Sequence, residues 1–107
     1  MTEPGAALEV AVRAAQAAGE ILLQGRGRDK QISEKNSRTS IVTWADGAAQ
    51  AEIARVVAEA FPDHSLLGEE GTAGAAGSDS LWVVDPLDGT SNYAHGFPFY
   101  CVSVALV

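Results

Sequence analysis

Disulfides, a membrane-spanning run and an excess of positive charge are all missing from this 107-residue sequence. Its single cysteine, Cys101, cannot close a disulfide within the chain, so nothing calls for an oxidising compartment. Within the run FPFYCVSVALV it reads as a small buried hydrophobe. No segment approaches the roughly 20 apolar residues of a membrane span. The opening MTEPGAALEV has no basic stretch ahead of its apolar residues, as a secretory leader would. Lys and Arg number 7 against 14 Asp and Glu, so the surface field repels nucleic acid and anionic lipid. The expectation is a cytoplasmic protein with neither nucleic acid nor membrane as a partner.

What is present suits one domain. Glu3 to Leu23 is alanine-rich, and Leu8, Val12, Ala15 and Leu22 fall at helical spacing, which predicts a first helix with those residues on its buried face. Gly25 and Gly27 supply its stop, with Arg26 and Arg28 at the negative end of the dipole. After the polar EKNSRTS, Thr43 with Asp46 three residues on has the form of a helix N-cap. The stripe Ala49, Ile53, Val56, Val57 and Ala60 then predicts a second helix, ended by Pro62. HSLLGEEG is a short apolar run closed by glutamates, and TAGAAGSDS reads as a mobile small-residue loop. SLWVVD and YCVSVALV are strand candidates on either side of the turn PLDGTSNYAHGFP. The last run is apolar on both alternating faces, as in a strand covered from both sides. Its apolar end predicts a chain cut short, with further layers beyond Val107. The order helix, helix, strand, strand, strand suits a layered mixed α/β sandwich.

Glu69, Glu70, Asp85 and Asp88 each close an apolar run, so a sheet that aligned those runs would gather the carboxylates at one edge. Hard oxygen donors of this kind suit Mg²⁺, which leaves coordination positions open for a substrate phosphate. Pro86 restrains the backbone so that the Leu87 carbonyl can join the ligands. Gly89 admits close approach to the main chain, and the N–H groups of Gly89 and Thr90 suit an anion. Other readings stand beside these. DPLDG is also an ordinary turn between strands, and an acid in Asp46's position serves helix capping without any chemistry. Glu70 points away from Glu69 and reads as solvated. His64 and His95 read as surface loop residues, and Trp44 and Trp82 as packing.

WVVDPLDGTSNY resembles the signature of the inositol monophosphatase family of Mg²⁺-dependent phosphatases. GEE at Gly68 to Glu70 resembles that family's metal-binding glutamate segment. IVTWAD is similar to its VT..D segment, Lys35 stands at the usual distance before Asp46, and FPFYCVSVALV resembles the following strand. Ser40 stands where the family commonly has an aspartate, and the family's C-terminal half is absent, with a further metal aspartate and most specificity residues. The resemblance implies the N-terminal portion, residues 1–107, of a single layered α/β domain that is a homodimer when complete. It implies that Glu69, Asp85 and the Leu87 carbonyl hold a first Mg²⁺, and that Asp85 and Asp88 contribute to a second. Thr90 and Glu69 activate the attacking water, and Asp46 orients Thr90 or that water. Glu69, Leu87, Asp88, Gly89 and Thr90 meet the substrate, with Lys35 and Thr43 in supporting positions. The implied reaction is hydrolysis of a small phosphate monoester, most simply myo-inositol monophosphate. Histidinol phosphate, fructose bisphosphate or a nucleotide 3′-phosphate are alternatives, and so is a noncatalytic metal-binding or regulatory module.

Overall fold

The computed structural model describes residues 3–27, 37–69, 71–75 and 77–107, with side chains described outside 26–27 and 37–43. Two long helices, α1 (Pro4–Gly27) and α2 (Ser37–Ala60), precede the strands β1 (Ser65–Gly68), β2 (Gly71–Gly74) and β3 (Leu81–Asp88). A short helix α3 (Thr90–Ala94) and the strand β4 (Cys101–Leu106) follow. The sheet runs β2-β1-β3-β4, with β1 and β3 parallel and the two outer pairings antiparallel. The architecture is therefore mixed α/β, as the sequence predicts.

The helix α1 starts where Pro4 needs no amide partner, and the Glu3 carboxylate accepts the N–H groups of Gly5 and Ala6 at 3.0 Å each. The helices pack on one another and lean on the sheet, α1 against β4 and α2 against β3. Registered neighbours Leu66, Trp82 and Leu106 lie in one row, with Val84 and Val104 in another; Leu66, Trp82 and Val84 are buried there. On the other face Leu67 and Val83 are exposed, and no described element covers them. No helix among the described residues is long and apolar enough to cross a membrane.

Several expectations are corrected. The buried face of α1 is Ala7, Val10, Ala14, Ala18 and Leu22, whereas Leu8 and Val12 are 66% and 47% exposed. Alanines on the inner face let the two helices approach closely, so the bulkier Leu8 and Val12 are turned outward. The helix α2 begins at Ser37, so Thr43 lies inside it and is not its N-cap. Neither Gly nor Pro interrupts SRTSIVT, and the helix extends backward through it. Its predicted stripe holds: Ala49, Ile53, Val56 and Val57 are buried.

TAGAAGSDS is not all loop, since Gly71–Gly74 pairs antiparallel with β1 as an edge strand, its backbone satisfied by that ladder. Cys101 is exposed rather than buried, and β4 alternates exposed and half-buried residues, because helices cover only one of its faces. His64 is buried rather than a surface residue. Its ring stacks on Phe61 at 4.4 Å, and its Nδ1 accepts the Trp82 indole N–H at 2.9 Å. An indole N–H only donates, so burying Trp82 calls for such an acceptor. His95, in contrast, is exposed.

Candidate active site at the end of the central strands

The strand β3 carries three of the predicted residues, Asp85, Leu87 and Asp88, to one end of the sheet. Trp82 and Val84 face the helices, and the ladder with β4 shifts register between Asp85 and Asp88. Such a bulge re-aims side chains at the strand's end. Asp85 is half-buried, and its Oδ1 accepts the Leu87 N–H at 3.2 Å, a local turn across the buried Pro86. Leu87 is buried, and Asp88 is exposed with its Oδ2 3.9 Å from the Cys101 thiol.

Gly89 follows in the left-handed region at φ 98° and ψ 41°. A Cβ there would stand 3.0 Å from the Phe99 carbonyl oxygen and 3.1 Å from Tyr100 Cβ. Both backbone angle and space therefore require glycine. Thr90 opens α3 and is exposed, and the Gly89 carbonyl accepts the Tyr93 N–H at 3.0 Å.

Packing anchors that turn from behind. The Tyr93 hydroxyl donates to the Leu22 carbonyl of α1 at 2.7 Å, and its ring meets Tyr100 edge-on at 4.9 Å. The Asn92 amide donates to the Phe99 carbonyl at 2.8 Å, tying α3 to the entry of β4. At Gly25, a Cβ would collide with the Tyr93 hydroxyl and stand 2.9 Å from the Trp44 ring. Neither Tyr93 nor Gly25 was legible as a support, since their partners lie in other elements.

Glu69 reaches the same end of the sheet on the neighbouring strand. The strands run parallel with Leu67 paired to Val83, so the turn that follows β1 after Gly68 lies at the same end of the sheet as Asp85. Glu69 is exposed in the two-residue turn between Gly68 and Gly71, whose second residue, Glu70, lies outside the described residues. Asp46 is 8% exposed on α2, which packs against both β3 and α3. Lys35 lies outside the described residues, as does the Thr43 side chain.

The elements thus bring Glu69, Asp85, Leu87, Asp88, Gly89 and Thr90 to one edge with Asp46 on the adjoining helix. No group of three or more His, Cys, Asp or Glu among the described residues stands close enough to hold a metal ion. The donor chemistry itself fits Mg²⁺: three carboxylates and a main-chain carbonyl, all hard oxygen, with no basic side chain among those residues. The ion pairs among the described residues belong to Arg55, with Glu52 and Glu59, on the outer face of α2.

A model of the inositol monophosphatase family matches residues 5–107. The chain belongs to that family. It is 44% identical over 104 residues to inositol monophosphatase 2 of Solanum lycopersicum, covering 92% of this chain and 39% of that protein. It is also 44% identical over 102 residues to the fructose-1,6-bisphosphatase/inositol-1-monophosphatase of Aquifex aeolicus, covering 94% and 38%. Among solved structures, the extragenic suppressor protein suhB from Bartonella henselae superposes with a TM-score of 0.76 at 37% identity, over 94% of this chain and 38% of that one. The chain thus spans about two-fifths of the length of the inositol monophosphatase relatives it matches. Residues 81–93, the strand end and turn just described, lie inside the family match.

Proposed function

We propose that residues 1–107 are the N-terminal portion of a single phosphatase domain that hydrolyses a small phosphate monoester with Mg²⁺, most simply myo-inositol monophosphate. The observation that carries this reading is the end of β3, where Asp85, Leu87 and Asp88 run into the left-handed Gly89 and the exposed Thr90 in a chain of this family. Members of the family are metal-dependent, generally on Mg²⁺. Glu69, Asp85 and the Leu87 carbonyl would hold one ion, and Asp85 with Asp88 would contribute to a second. When bound, Mg²⁺ supplies Lewis-acid polarisation of the phosphate and makes water easier to deprotonate.

The chain's own groups do the remaining work. Thr90 and Glu69 hold the attacking water, the Glu69 carboxylate taking its proton. The Gly89 and Thr90 N–H groups donate to phosphate oxygens, and Asp46 orients Thr90 from the neighbouring helix. Lys35 and Thr43 support this arrangement. Attack in line with the ester oxygen gives alcohol and phosphate without a protein nucleophile, so catalysis rests on positioning and charge stabilisation. The acidic chain acts on small molecules rather than on nucleic acid or membranes, in the cytoplasm, as a homodimer when complete.

Fructose bisphosphate is the second reading, supported by the name of the Aquifex aeolicus relative. Histidinol phosphate and nucleotide 3′-phosphates share the same reacting group. Phosphate release from these four substrates, with Mg²⁺ and with chelator, tests the proposal. Chelator-sensitive release led by inositol monophosphate is expected. Mg²⁺ binding without release from any substrate would instead favour a noncatalytic metal-binding or regulatory module.

A further inference from the structure

Gln50 is an amide in the middle of an apolar helix face. It follows Asp46 by one turn of α2 and is 8% exposed, flanked on that face by the buried Ala49 and Ile53. Its Nε2–H donates to the Gly71 carbonyl at 3.4 Å, 21 residues along the chain. The same amide lies over Gly68, where a Cβ would stand 2.5 Å from Gln50 Cδ and 3.0 Å from Nε2. Gly68 and Gly71 are the paired residues that close the turn carrying Glu69. One side chain from α2 therefore touches both ends of that turn. A turn closed by two glycines loses more backbone freedom on ordering than any other, so a tether there has much to restrict.

We infer that Gln50 is a positioning residue, which straps the Gly68–Gly71 turn onto α2 and so sets where the Glu69 carboxylate stands relative to Asp85 and Asp88. This rests on the reading of Glu69 as a metal ligand. Glu69 is exposed and lies beyond the last paired residue of β1, so the ladder alone does not determine its place. The strap also explains the glycine at 68, because any side chain there would expel the amide. Asp46 and Gln50, four residues apart, make one face of α2 a common support for Thr90 and Glu69.

The test uses the 107-residue chain and four variants. Gln50→Met is close to glutamine in volume but lacks the amide, so α2 stays packed. Gly68→Ala displaces the amide without altering Gln50. Gln50→Ala and the double variant Gln50→Ala/Gly68→Ala complete the set, and Asp88→Asn tests the metal reading independently.

Hydrogen exchange of the amides from Glu69 to Gly74, Mg²⁺ affinity by titration calorimetry and urea unfolding are measured on each. Gln50→Met and Gly68→Ala should each speed exchange in the turn while the α1 and α2 amides are unmoved. Each should weaken Mg²⁺ binding by roughly 10–100-fold, the scale of losing an outer partner of a metal ligand. The double variant should be no worse than Gln50→Ala, whose vacated space admits the new Cβ.

Unchanged turn exchange in both Gln50→Met and Gly68→Ala would overturn the strap. Faster exchange with Mg²⁺ affinity intact, while Asp88→Asn loses it, would overturn the positioning role. If the unsubstituted chain takes up no Mg²⁺, or Asp88→Asn binds it as well, the metal reading falls and takes the inference with it. The exchange data then still show whether the tether exists.

Discussion

Asp88 and Thr90 are the residues on which chemistry and folding separate most cleanly, because both are exposed and neither closes the core. Asp88→Asn in the complete protein should leave the urea midpoint nearly unchanged. Its Mg²⁺ affinity should fall by at least the roughly 10–100-fold that follows loss of a metal ligand's outer partner. Thr90→Ala should lower kcat far more than it raises KM on the proposed reading, in which its hydroxyl acts on the attacking water and not on the bound ester. An unchanged kcat would remove Thr90 from the chemistry. Gly89→Ala should behave in the opposite way, destabilising the fold itself. The left-handed backbone alone costs a residue with a Cβ about 1–2 kcal/mol, and contact with the Phe99 carbonyl adds to it. Chemical denaturation reads this directly.

At the scale of elements, the junction of α1 with α3 holds the signature turn in place. Gly25→Ala pushes a methyl into the Trp44 ring and the Tyr93 hydroxyl, and should cost about 1–3 kcal/mol as overpacking does. Tyr93→Phe keeps the ring and loses the bond to the Leu22 carbonyl, so a loss of about 0.5–1.5 kcal/mol is expected. If Gly25→Ala unfolds at the same midpoint as the parent, the close approach of α1 and α3 is wrong. On α2, Arg55 pairs with Glu52 and Glu59, and its hydrogen bond holds the Glu52 carboxyl below the usual range. A lowered carboxyl contributes stability that is present above the ordinary glutamate value and fades as pH falls through the lowered one. Arg55→Gln should therefore narrow the difference between acid and neutral unfolding midpoints slightly, and salt should mask the change, since these groups are exposed.

At the scale of the whole chain, one sheet face and the outer edge of β4 lie open among the described residues. Leu67 and Val83 are exposed on that face, and Phe97, Phe99 and Val107 flank β4. An uncovered edge with apolar neighbours invites pairing with another strand. The isolated chain should self-associate with concentration in sedimentation experiments. Ala105→Lys, on the exposed side of β4, should suppress this, and a monodisperse monomer at high concentration in the parent would refute the point.

The backbone course of the candidate stretch was legible in the sequence because its constraints are local. Asp85, Pro86, Leu87, Asp88 and Gly89 are neighbours in the chain, and a strand that ends in paired carboxylates before a glycine has few structural alternatives. The stripe of α2 was legible for the same reason, since period alone selects Ala49, Ile53, Val56 and Val57. Tertiary structure decided what depends on partners distant in sequence. Leu8 and Val12 turn outward because the alanines of α1 suit a close helix pair, which no count of apolar residues along one helix can show. Gly71–Gly74 becomes a strand through the ladder that β1 offers. His64 is buried because Trp82, 18 residues on, needs an acceptor for its indole N–H. Gln50 stands within an apolar stripe where an amide alone signals nothing. Its role emerges only when the fold brings two glycines from another element beneath it.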